Sequence, residues 1–515
     1  MNGKLVSAPV GIALAIAAGI CCYLAFAPIA IGVLAPVGVL LSTIAIFRAT
    51  LRRGFGLAFI TGLVFFLPLI SWMATPGVDA WLLLSLLCAL WVALMGAAIA
   101  LVTRVPGWPI WVPCLWVIQE ALRGSVPWGG FAWGDLAFAQ SSTWLGKYAA
   151  FIGRPGVTFV VALAGTTLLA AFLAVRAGRR GYGSAWFGVW LLVLAVGLVL
   201  PLGIGTSTQR TVAIAIVQGG TPQLGLSALD VRRQVLDNHV AQTMLLAEQV
   251  RTGQVEQPDF VLWPENSTDI DPFQDPTVAA DITSAAVAIN APILVGAVVA
   301  VPGNPMGVWN MGVVWDPVTG PGARYIKNHP VPFGEYVPLR AELAPILGRF
   351  DQIPRDFLAG DKPGLLPIGG VLVGDAICFE VSDDQVLQRL VAGAAEVITV
   401  QTNNATFGGS AQPEQQLGIE RLRAIETGRS VVVAATTGVS AVITPDGAVQ
   451  AVMQQGEVGS LVVSVALIDG RTIAGHLGKL PELLLAGLGI AAIAAASVPR
   501  IRRRGRRGAE HRLGP

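Results

Sequence analysis

The chain has 515 residues, of which 54% are hydrophobic and only 13% are charged, about half the charged fraction of an average soluble domain, ~25%. With a mean hydropathy of +0.65, this composition excludes a disordered, fibrous or ordinary cytosolic protein and indicates membrane spans. The net charge is only +2, and nothing in the sequence indicates nucleic-acid binding.

Charge is distributed unevenly over three regions. Residues 1–204 contain 11 Lys and Arg against 3 Asp and Glu, residues 205–499 contain 16 against 28, and residues 500–515 contain 7 against one. An apolar, slightly basic part therefore precedes an acidic part with a net charge of −12, and a basic tail follows. Because the tail comes directly after an apolar stretch, we interpret it as a cytoplasmic anchor rather than a nucleic-acid patch.

Apolar runs of about 20 residues, the length of a transmembrane helix, predict eight spans. They are residues 6–26, 28–47, 55–75, 80–102, 107–122, 156–177, 185–204 and 482–499. The fifth is the weakest by composition, because it contains Pro109, Pro113 and Glu120. We therefore predict seven helices within residues 1–204 and an eighth after the acidic part.

Basic residues between the spans predict the orientation of the protein. They cluster at alternate span ends, at Lys4, Arg48, Arg52, Arg53, Arg104, Arg176, Arg179, Arg180 and the arginines of the tail. The positive-inside rule places such clusters in the cytoplasm. We therefore expect cytoplasmic termini, an outer loop at residues 123–155, and a domain at residues 205–481 on the outer side of the cytoplasmic membrane.

The predicted outer loop is rich in aromatic side chains. It contains Trp128, Phe131, Trp133 and Trp144 among glycines. Two interpretations stay open, an aromatic belt in the headgroup region and a lipid-contacting arm beside the acidic domain. Glu120 and Arg123, one helical turn apart, are expected to pair with each other.

Residues 211–468 alternate between strand and helix patterns. Strands are predicted at residues 211–218, 260–263, 292–299, 311–315, 371–378, 397–400, 430–435, 440–444, 448–452 and 461–466, and helices at 229–252 and 413–429. This pattern predicts one α/β domain with a mixed sheet. Residues 341–358, which are apolar with scattered charges, are either a lid at the membrane interface or a surface loop.

Three segments of this domain carry residues suited to catalysis. Glu265 follows one predicted strand, Cys378 ends another, and Lys327 lies between them in the sequence. Ligands of α/β proteins gather beyond the carboxyl ends of strands, where a thiol, an amine and a carboxylate can serve as nucleophile, oxyanion stabiliser and base. Taken singly, each residue also has a structural interpretation, an inert buried thiol or a plain Glu265–Lys327 ion pair.

Histidine is the usual base for a catalytic cysteine, and a Cys–His site is a second interpretation. The acidic domain contains His239, His329 and His476. His329 is two residues from Lys327, so the two side chains could share a strand face. The bare spacing leaves this alternative open.

Glu265, Lys327 and Cys378, in that order, resemble the pattern of the nitrilase superfamily of carbon–nitrogen hydrolases, over roughly residues 211–468. Within it, the stretch K-x-x-x-V-P-F-G-E-Y-V-P beginning at Lys327 resembles the bacterial apolipoprotein N-acyltransferases. So do an E-x-x-R motif followed by F-A-W, and the position of the domain between seven spans and one more. The resemblance extends over essentially the whole chain.

The resemblance implies a polytopic helical membrane protein with an extracytoplasmic αββα sandwich as its catalytic domain. It implies Cys378 as nucleophile, Glu265 as proton acceptor and Lys327 as oxyanion stabiliser. Glu335 and Glu380 would orient Lys327 or the acceptor amine, or form structural pairs. The implied donor is a phospholipid, whose acyl chain passes through a cysteine thioester to the N-terminal amine of S-diacylglyceryl cysteine in an apolipoprotein. Neither a metal nor another cofactor is expected, because the ester carries the activation.

Two other classes of protein stay open. A membrane-tethered amidase or nitrilase acting on a small extracytoplasmic amide would share the three catalytic residues, and water would attack the thioester. A channel or transporter with an outer binding domain is the second class. The spans contain almost no paired charges beyond Glu120 and Arg123, whereas ion pathways are usually marked by such charges.

Overall fold

The computed structural model describes residues 5–203, 207–221, 223–225, 232–343 and 353–498. The basic tail from residue 499 onward and half of the predicted lid, residues 344–352, lie outside these residues. The described chain forms a body of apolar helices, a two-sheet domain packed on it, and a further apolar helix.

Seven α-helices lie within residues 5–203, the described first part of the chain. They are α1 (Ala8–Leu24), α2 (Leu34–Ile46), α3 (Leu51–Leu69), α4 (Val78–Val102), α5 (Trp108–Arg123), α6 (Ala149–Arg176) and α7 (Arg180–Val199). Small residues allow close packing between them, as is common in membrane proteins. A methyl group added at Gly96 of α4 would lie 2.1 Å from Ala58 Cβ of α3, so these two backbones are in near contact.

Five described helical segments are long and apolar enough to cross a membrane. They are Leu51–Leu69, Val78–Val102, Trp144–Arg176, Arg180–Val199 and Leu480–Ser497. The apolar helices α1 and α2 are shorter, with 17 and 13 residues, and α5 has 16. The chain thus has several helices that can span a membrane, and the eight-span arrangement stays a prediction.

Within the described residues, two mixed sheets follow the helical body. The first has the order β13-β1-β2-β3-β4-β5 with β6 beside β4, and the second has the order β12-β11-β10-β9-β8-β7. The strands are β1 (Ser207–Gln218), β2 (Phe260–Leu262), β3 (Ile293–Val301), β4 (Asn304–Asp316), β5 (Gly320–Ile326), β6 (Asp356–Phe357), β7 (Leu365–Ile368), β8 (Val371–Ile377), β9 (Val397–Thr402), β10 (Val431–Ala435), β11 (Ser440–Ile443), β12 (Val449–Met453) and β13 (Gly459–Ile468).

The residue pattern alone predicts one mixed sheet, whereas the structure divides the strands between two mixed sheets, as in the αββα sandwich that the resemblance implies. Strands β1, β2 and β3 run parallel in one sheet, and β8, β9 and β10 run parallel in the other. Apolar side chains such as Ile216, Leu262, Val373 and Val432 are buried in the core between the sheets. The alternation of apolar and polar residues along a strand indicates which of its faces is buried, but it does not indicate which strands share a sheet.

Helices cover the outer face of each sheet and complete the αββα sandwich. The helices after the helical body are α8 (Arg232–Arg251), α9 (Pro276–Ile289), α10 (Arg340–Leu343), α11 (Asp384–Ala392), α12 (Gln412–Thr427), α13 (Ile473–Leu477) and α14 (Leu480–Ser497). Helices α8, α9, α11 and α12 cover the sheets, whereas α14 packs on α4, α5 and α6 of the helical body. Helices α8 and α9 pack against the first sheet. Helix α12 packs against α6 of the helical body, and the outer core of the second sheet is continuous with the core of that body.

Candidate active site

Three strand ends bring Glu265, Lys327 and Cys378 together. Glu265 follows β2, Lys327 directly follows β5, and Cys378 directly follows β8. Gly296 on β3 allows the Glu265 segment to approach, because a methyl group there would lie 2.2 Å from Pro264 O. The three predicted residues thus lie at one edge of the sandwich, although Glu265 and Cys378 are 113 positions apart in the sequence.

Lys327 lies at the centre of a buried polar cluster, the Lys327 cluster, made by Glu265, Asn310, Lys327 and Glu335. Its Nζ donates to Glu265 Oε1 and to Glu335 Oε1, both at 2.9 Å, and the Lys327 side chain is only 1% exposed. Burial opposes the charge, but the two carboxylates raise the pKa of Lys327 well above its usual value. Lys327 is therefore an ammonium ion at neutral pH.

Asn310 on β4 links the two carboxylates of this cluster. Its Nδ2 donates to Glu265 Oε1 at 2.7 Å and to Glu335 Oε1 at 2.9 Å. The second oxygen of Glu265 accepts from Asn403 N at 2.9 Å, and that of Glu335 accepts from Val331 N at 2.6 Å. Both carboxylates are therefore held by donors on both oxygens, which fixes their orientation toward Lys327.

Cys378 begins a tight turn, the Cys378 turn, formed by the 3-10 segment Cys378–Ser382. Its φ of +55° lies in the left-handed region, which is strained for a residue with a side chain. Desolvation and then the charge of Glu265 raise the pKa of the thiol to about 12, while Lys327 and a hydrogen bond with Thr402 oppose this rise. The resting thiol is therefore protonated at neutral pH.

Glu380 is fully buried behind this turn. Its carboxylate accepts from Ile377 N at 2.8 Å, from Asn328 N at 2.7 Å and from the Tyr325 hydroxyl at 2.9 Å. Burial raises the pKa of Glu380, and the Ile377 N–H opposes that rise. Glu380 therefore connects the strand end before Cys378 to the residues that flank Lys327.

A cavity of about 500 Å³ lies between the sandwich and the helical body. Its wall includes Phe379, the residue after Cys378, together with Trp128, Tyr336 and Phe357. Phe131 and Trp133 stack on the Phe379 ring at centroid distances of 5.9 and 6.0 Å. Aromatic side chains of the predicted outer loop thus lie against the Cys378 turn.

Both parts of the chain match known families. Residues 18–167 match the apolipoprotein N-acyltransferase N-terminal domain, and residues 214–474 match the carbon–nitrogen hydrolase family. An apolipoprotein N-acyltransferase of Mycolicibacterium smegmatis is 38% identical over 458 residues, covering 84% of this chain and 76% of the relative. The chain belongs to the apolipoprotein N-acyltransferase family.

More distant apolipoprotein N-acyltransferases support this assignment. The apolipoprotein N-acyltransferase of Ralstonia nicotianae is 31% identical, in an alignment that covers 84% of this chain and 80% of the relative. The apolipoprotein N-acyltransferase of Shewanella oneidensis is 28% identical, in an alignment that covers 79% of this chain and 78% of the relative. The predicted family is therefore confirmed, and the chain is an acyltransferase with a nitrilase-like domain.

Among the residues that the structure describes, no hydrogen bond or ion pair joins His239, His329 or His476 to Cys378, so the Cys–His interpretation is not supported. The ring of His329 lies 3.0 Å from Asp383 Oδ2 and is 42% exposed. His239 is buried, accepts a hydrogen bond from Gly219 N and donates to Val235 O. Burial lowers the pKa of His239 to about 4, so this imidazole is a neutral part of the core.

The predicted pairing of Glu120 with Arg123 is wrong. Arg123 pairs with Asp135 at 2.5 Å, while Glu120 accepts from Leu136 N at 2.8 Å and from Thr158 Oγ1 at 2.6 Å. The loop after α5 folds back over the helix end and supplies nearer partners for both side chains. Glu120 and Arg123 therefore each hold this loop in place beside the cavity.

Sequence reasoning missed the polar residues that orient the three predicted ones, namely Asn310, Thr402 and Asn403. Asn310 is 1% exposed and lies between the apolar residues Trp309 and Met311. A lone amide in a buried strand requires hydrogen-bond partners, so an asparagine in this apolar run could have been predicted to belong to a buried polar site. Thr402 and Asn403 end and follow β9, and a short polar run after a strand carries no comparable signal.

Proposed function

We propose that this enzyme transfers a fatty acyl chain from a phospholipid to the N-terminal amine of S-diacylglyceryl cysteine in apolipoproteins. The observation that carries the proposal is that the buried Lys327 ammonium acts on the Cys378 thiol, while Phe379, the next residue, lines a cavity between the sandwich and the apolar helices. Both substrates carry acyl chains that prefer an apolar environment. A site next to apolar helices can bind them without extracting them from a bilayer.

In the first step, Cys378 attacks the ester carbonyl of the phospholipid. Glu265 accepts the thiol proton, and Lys327 stabilises the oxyanion of the tetrahedral intermediate. Collapse of the intermediate breaks the ester C–O bond, and the lysophospholipid leaves with the proton returned by Glu265. A thioester on Cys378 remains.

In the second step, the acceptor amine attacks the thioester. Glu265 again takes a proton, now from the amine, and the thiolate of Cys378 leaves and is reprotonated. The products are an amide and the free enzyme. The ester bond of the donor supplies the free energy, so the cycle needs no nucleoside triphosphate.

Lys327 keeps donor capacity for this chemistry. An ammonium group has three N–H donors, and within the described residues two of them point to Glu265 and Glu335. The third is available to the oxyanion. We assign Glu335 and Asn310 to orienting Lys327 and Glu265, and Glu380 to holding the Cys378 turn against the strand end that carries Lys327.

The catalytic domain is extracytoplasmic in this proposal, and both termini are cytoplasmic. The support comes from the basic clusters, which alternate along the eight predicted spans as the positive-inside rule requires. Phospholipid of the outer leaflet would then be the donor. The aromatic side chains of the loop at residues 123–155 would contact that lipid at the entrance of the cavity.

Detection of the thioester tests the proposed reaction. Detergent-solubilised protein is incubated with a phospholipid that carries a deuterated acyl chain, and Cys378 is examined by peptide mass spectrometry. We expect an acyl adduct that a synthetic S-diacylglyceryl-cysteine peptide discharges as an amide. Cys114→Ala, which removes a buried thiol of α5, should behave like the wild type, and Cys378→Ala should give no adduct.

The amidase alternative predicts the opposite result in this test for an acyl adduct on Cys378. Phospholipid would give no adduct on Cys378, and a short-chain amide would acylate the thiol and be hydrolysed without an acceptor peptide. That result would contradict the proposed function.

Thiol labelling in intact cells or spheroplasts tests the orientation. In a Cys378→Ala background, Thr252→Cys places a thiol at an exposed position directly after α8, on the face of the sandwich opposite the helical body. An impermeant maleimide should label this thiol without lysis. Labelling only after lysis would contradict the extracytoplasmic placement and exclude outer-leaflet phospholipid as donor.

A further inference from the structure

A second buried ionic cluster joins the helical body to the sandwich. We call it the Arg154 network, and its members are Arg123, Asp135, Arg154, Asp384, Arg423, Glu426 and Glu482. It links the outer loop, α6, the start of α11, α12 and the start of α14. It has no residue in common with the Lys327 cluster, and the proposed reaction does not use it.

Arg154 is the residue at which the parts of this network meet. Its Nε donates to Asp384 Oδ1 at 2.8 Å and its Nη2 to Asp384 Oδ2 at 2.9 Å, in a two-pronged contact. Nη1 donates to Asp135, and Nη2 also reaches Glu482 at 3.3 Å. The backbone N–H of Arg154 donates to Glu426 Oε1 at 2.9 Å. One residue of the helical body therefore contacts four separate segments.

Asp384 connects Arg154 to the Cys378 turn. Arg423 pairs with Asp384 at 2.8 Å and also donates to Val381 O and Ser382 O, both at 2.8 Å. These two carbonyls belong to the Cys378 turn. Burial opposes ionisation of Asp384, but the two guanidinium groups hold its pKa below its usual value. Asp384 therefore stays charged and keeps both contacts at neutral pH.

Asp135 connects Arg154 to the aromatic side chains that stack on Phe379. Asp135 pairs with Arg123, which donates to Phe131 O at 2.6 Å and to Trp133 O at 2.5 Å. The rings of Phe131 and Trp133 are those that stack on Phe379. The network thus holds the Cys378 turn from one side and the aromatic rings that contact it from the other.

We propose that Arg154 is a positioning residue for thioester formation. Through Asp384 and Asp135, Arg154 fixes the position of the Cys378 turn relative to the aromatic loop and the apolar helices. This inference rests on the proposed function. A planar guanidinium with two-pronged contacts fixes angles as well as distances, which an ammonium does not. Displacement of a nucleophile by about 1 Å can cost ~10²-fold in rate. Arg154 therefore acts on the reaction with a bound lipid and leaves the intrinsic reactivity of the thiol unchanged.

The test compares two rates in the same folded, detergent-solubilised full-length protein. One is the single-turnover rate of Cys378 acylation by phospholipid, and the other is the rate of Cys378 alkylation by iodoacetamide. In Arg154→Gln we expect acylation to fall ~10²-fold, with alkylation within about twofold of the wild type. Arg154→Lys should lose ~10-fold, since it keeps the charge and lacks the planar fork. Arg210→Gln, which breaks an exposed ion pair with Glu396, is the matched control and should change neither rate.

The outcomes separate this inference from the proposed function. If Arg154→Gln lowers both rates equally, Arg154 maintains the conformation of the turn itself. If acylation is unchanged, Arg154 does not position the turn. Either result overturns this inference and leaves the proposed function standing. If Arg154→Gln does not purify as a monodisperse protein, Arg154→Lys and Asp384→Asn are judged by the same criterion. If the wild type forms no acyl adduct, the proposed function fails and the inference fails with it.

Discussion

Two buried ionic clusters approach the Cys378 turn, and they use their cations differently. In the Lys327 cluster, a compact ammonium faces two carboxylates and retains donor capacity. In the Arg154 network, a planar guanidinium is shared among three carboxylates on three different segments. A site for chemistry needs a charge that can still engage substrate, whereas a connection between segments needs directional contacts that are already satisfied. Substitutions should therefore affect chemistry in the first cluster and geometry in the second.

Removal of the nucleophile should have the largest effect. Cys378→Ser should lower turnover by more than ~10³-fold, because a hydroxyl with a glutamate base is a far poorer nucleophile than a thiol. The thermal unfolding midpoint should stay close to that of the wild type, since the two side chains are similar in size. Amide formation from phospholipid and acceptor peptide is the assay, and retention of a few per cent of the activity would contradict the thioester mechanism.

Loss of the ammonium should have the next largest effect. Lys327→Met should lower kcat by ~10²-fold or more, the scale expected for one oxyanion donor. Lys327→Arg should restore little, because a planar fork places its donors differently from an ammonium. The measurement is kcat on the folded protein, and near-wild-type rates in either variant would remove Lys327 from the mechanism.

The pH dependence of thiol alkylation separates the two clusters directly. With the pKa of Cys378 raised to about 12, the thiolate fraction and the iodoacetamide rate should rise ~10-fold per pH unit from about pH 7 to 10. Lys327 opposes the raised pKa, so Lys327→Met should react more slowly at each pH. Arg154→Gln should follow the wild-type curve, and a shifted curve would show that the Arg154 network also acts on the charge of the thiol.

Glu420 is a buried carboxyl group outside both clusters, so it provides a neutral contrast, and its substitution should have the smallest effect on activity. Burial raises the pKa of Glu420 to about 8, and its only described hydrogen bond is from Gln416. The folded state therefore keeps a proton that the unfolded state loses above pH ~4.3, and stability falls as the pH rises toward 8, by ~1.4 kcal/mol per unit.

Glu420→Gln should remove this part of the pH dependence. The variant should match the wild type near pH 4 and unfold at a higher temperature near pH 8, because the neutral amide keeps the contact with Gln416 without ionising in the unfolded chain. Thermal unfolding at several pH values measures the difference. Parallel curves for the two proteins would show that Glu420 is already ionised in the fold.

The order of elements and the identity of the three reactive residues could be predicted from the sequence. Apolar runs report burial in a membrane or core, and helices were found near all eight predicted spans. Strand β5 was missed because its sequence, GPGARYI, is glycine-rich and contains proline, which obscures the alternation of a strand. Helix α11 was missed because it has only nine residues and little room for a periodic pattern.

Local sequence by itself determined the apolar helices, most strands, and the order of Glu265, Lys327 and Cys378, because these follow from patterns within about 20 residues. Only the tertiary structure decided that Asn310 joins two carboxylates, that Arg123 pairs with Asp135, and that Arg154 meets Asp384 230 positions away. A buried charge must find an opposite charge, but which of several acidic residues it meets depends on how the helices and sheets pack. The sequence requires that each buried charge be compensated, and the packing selects the partner.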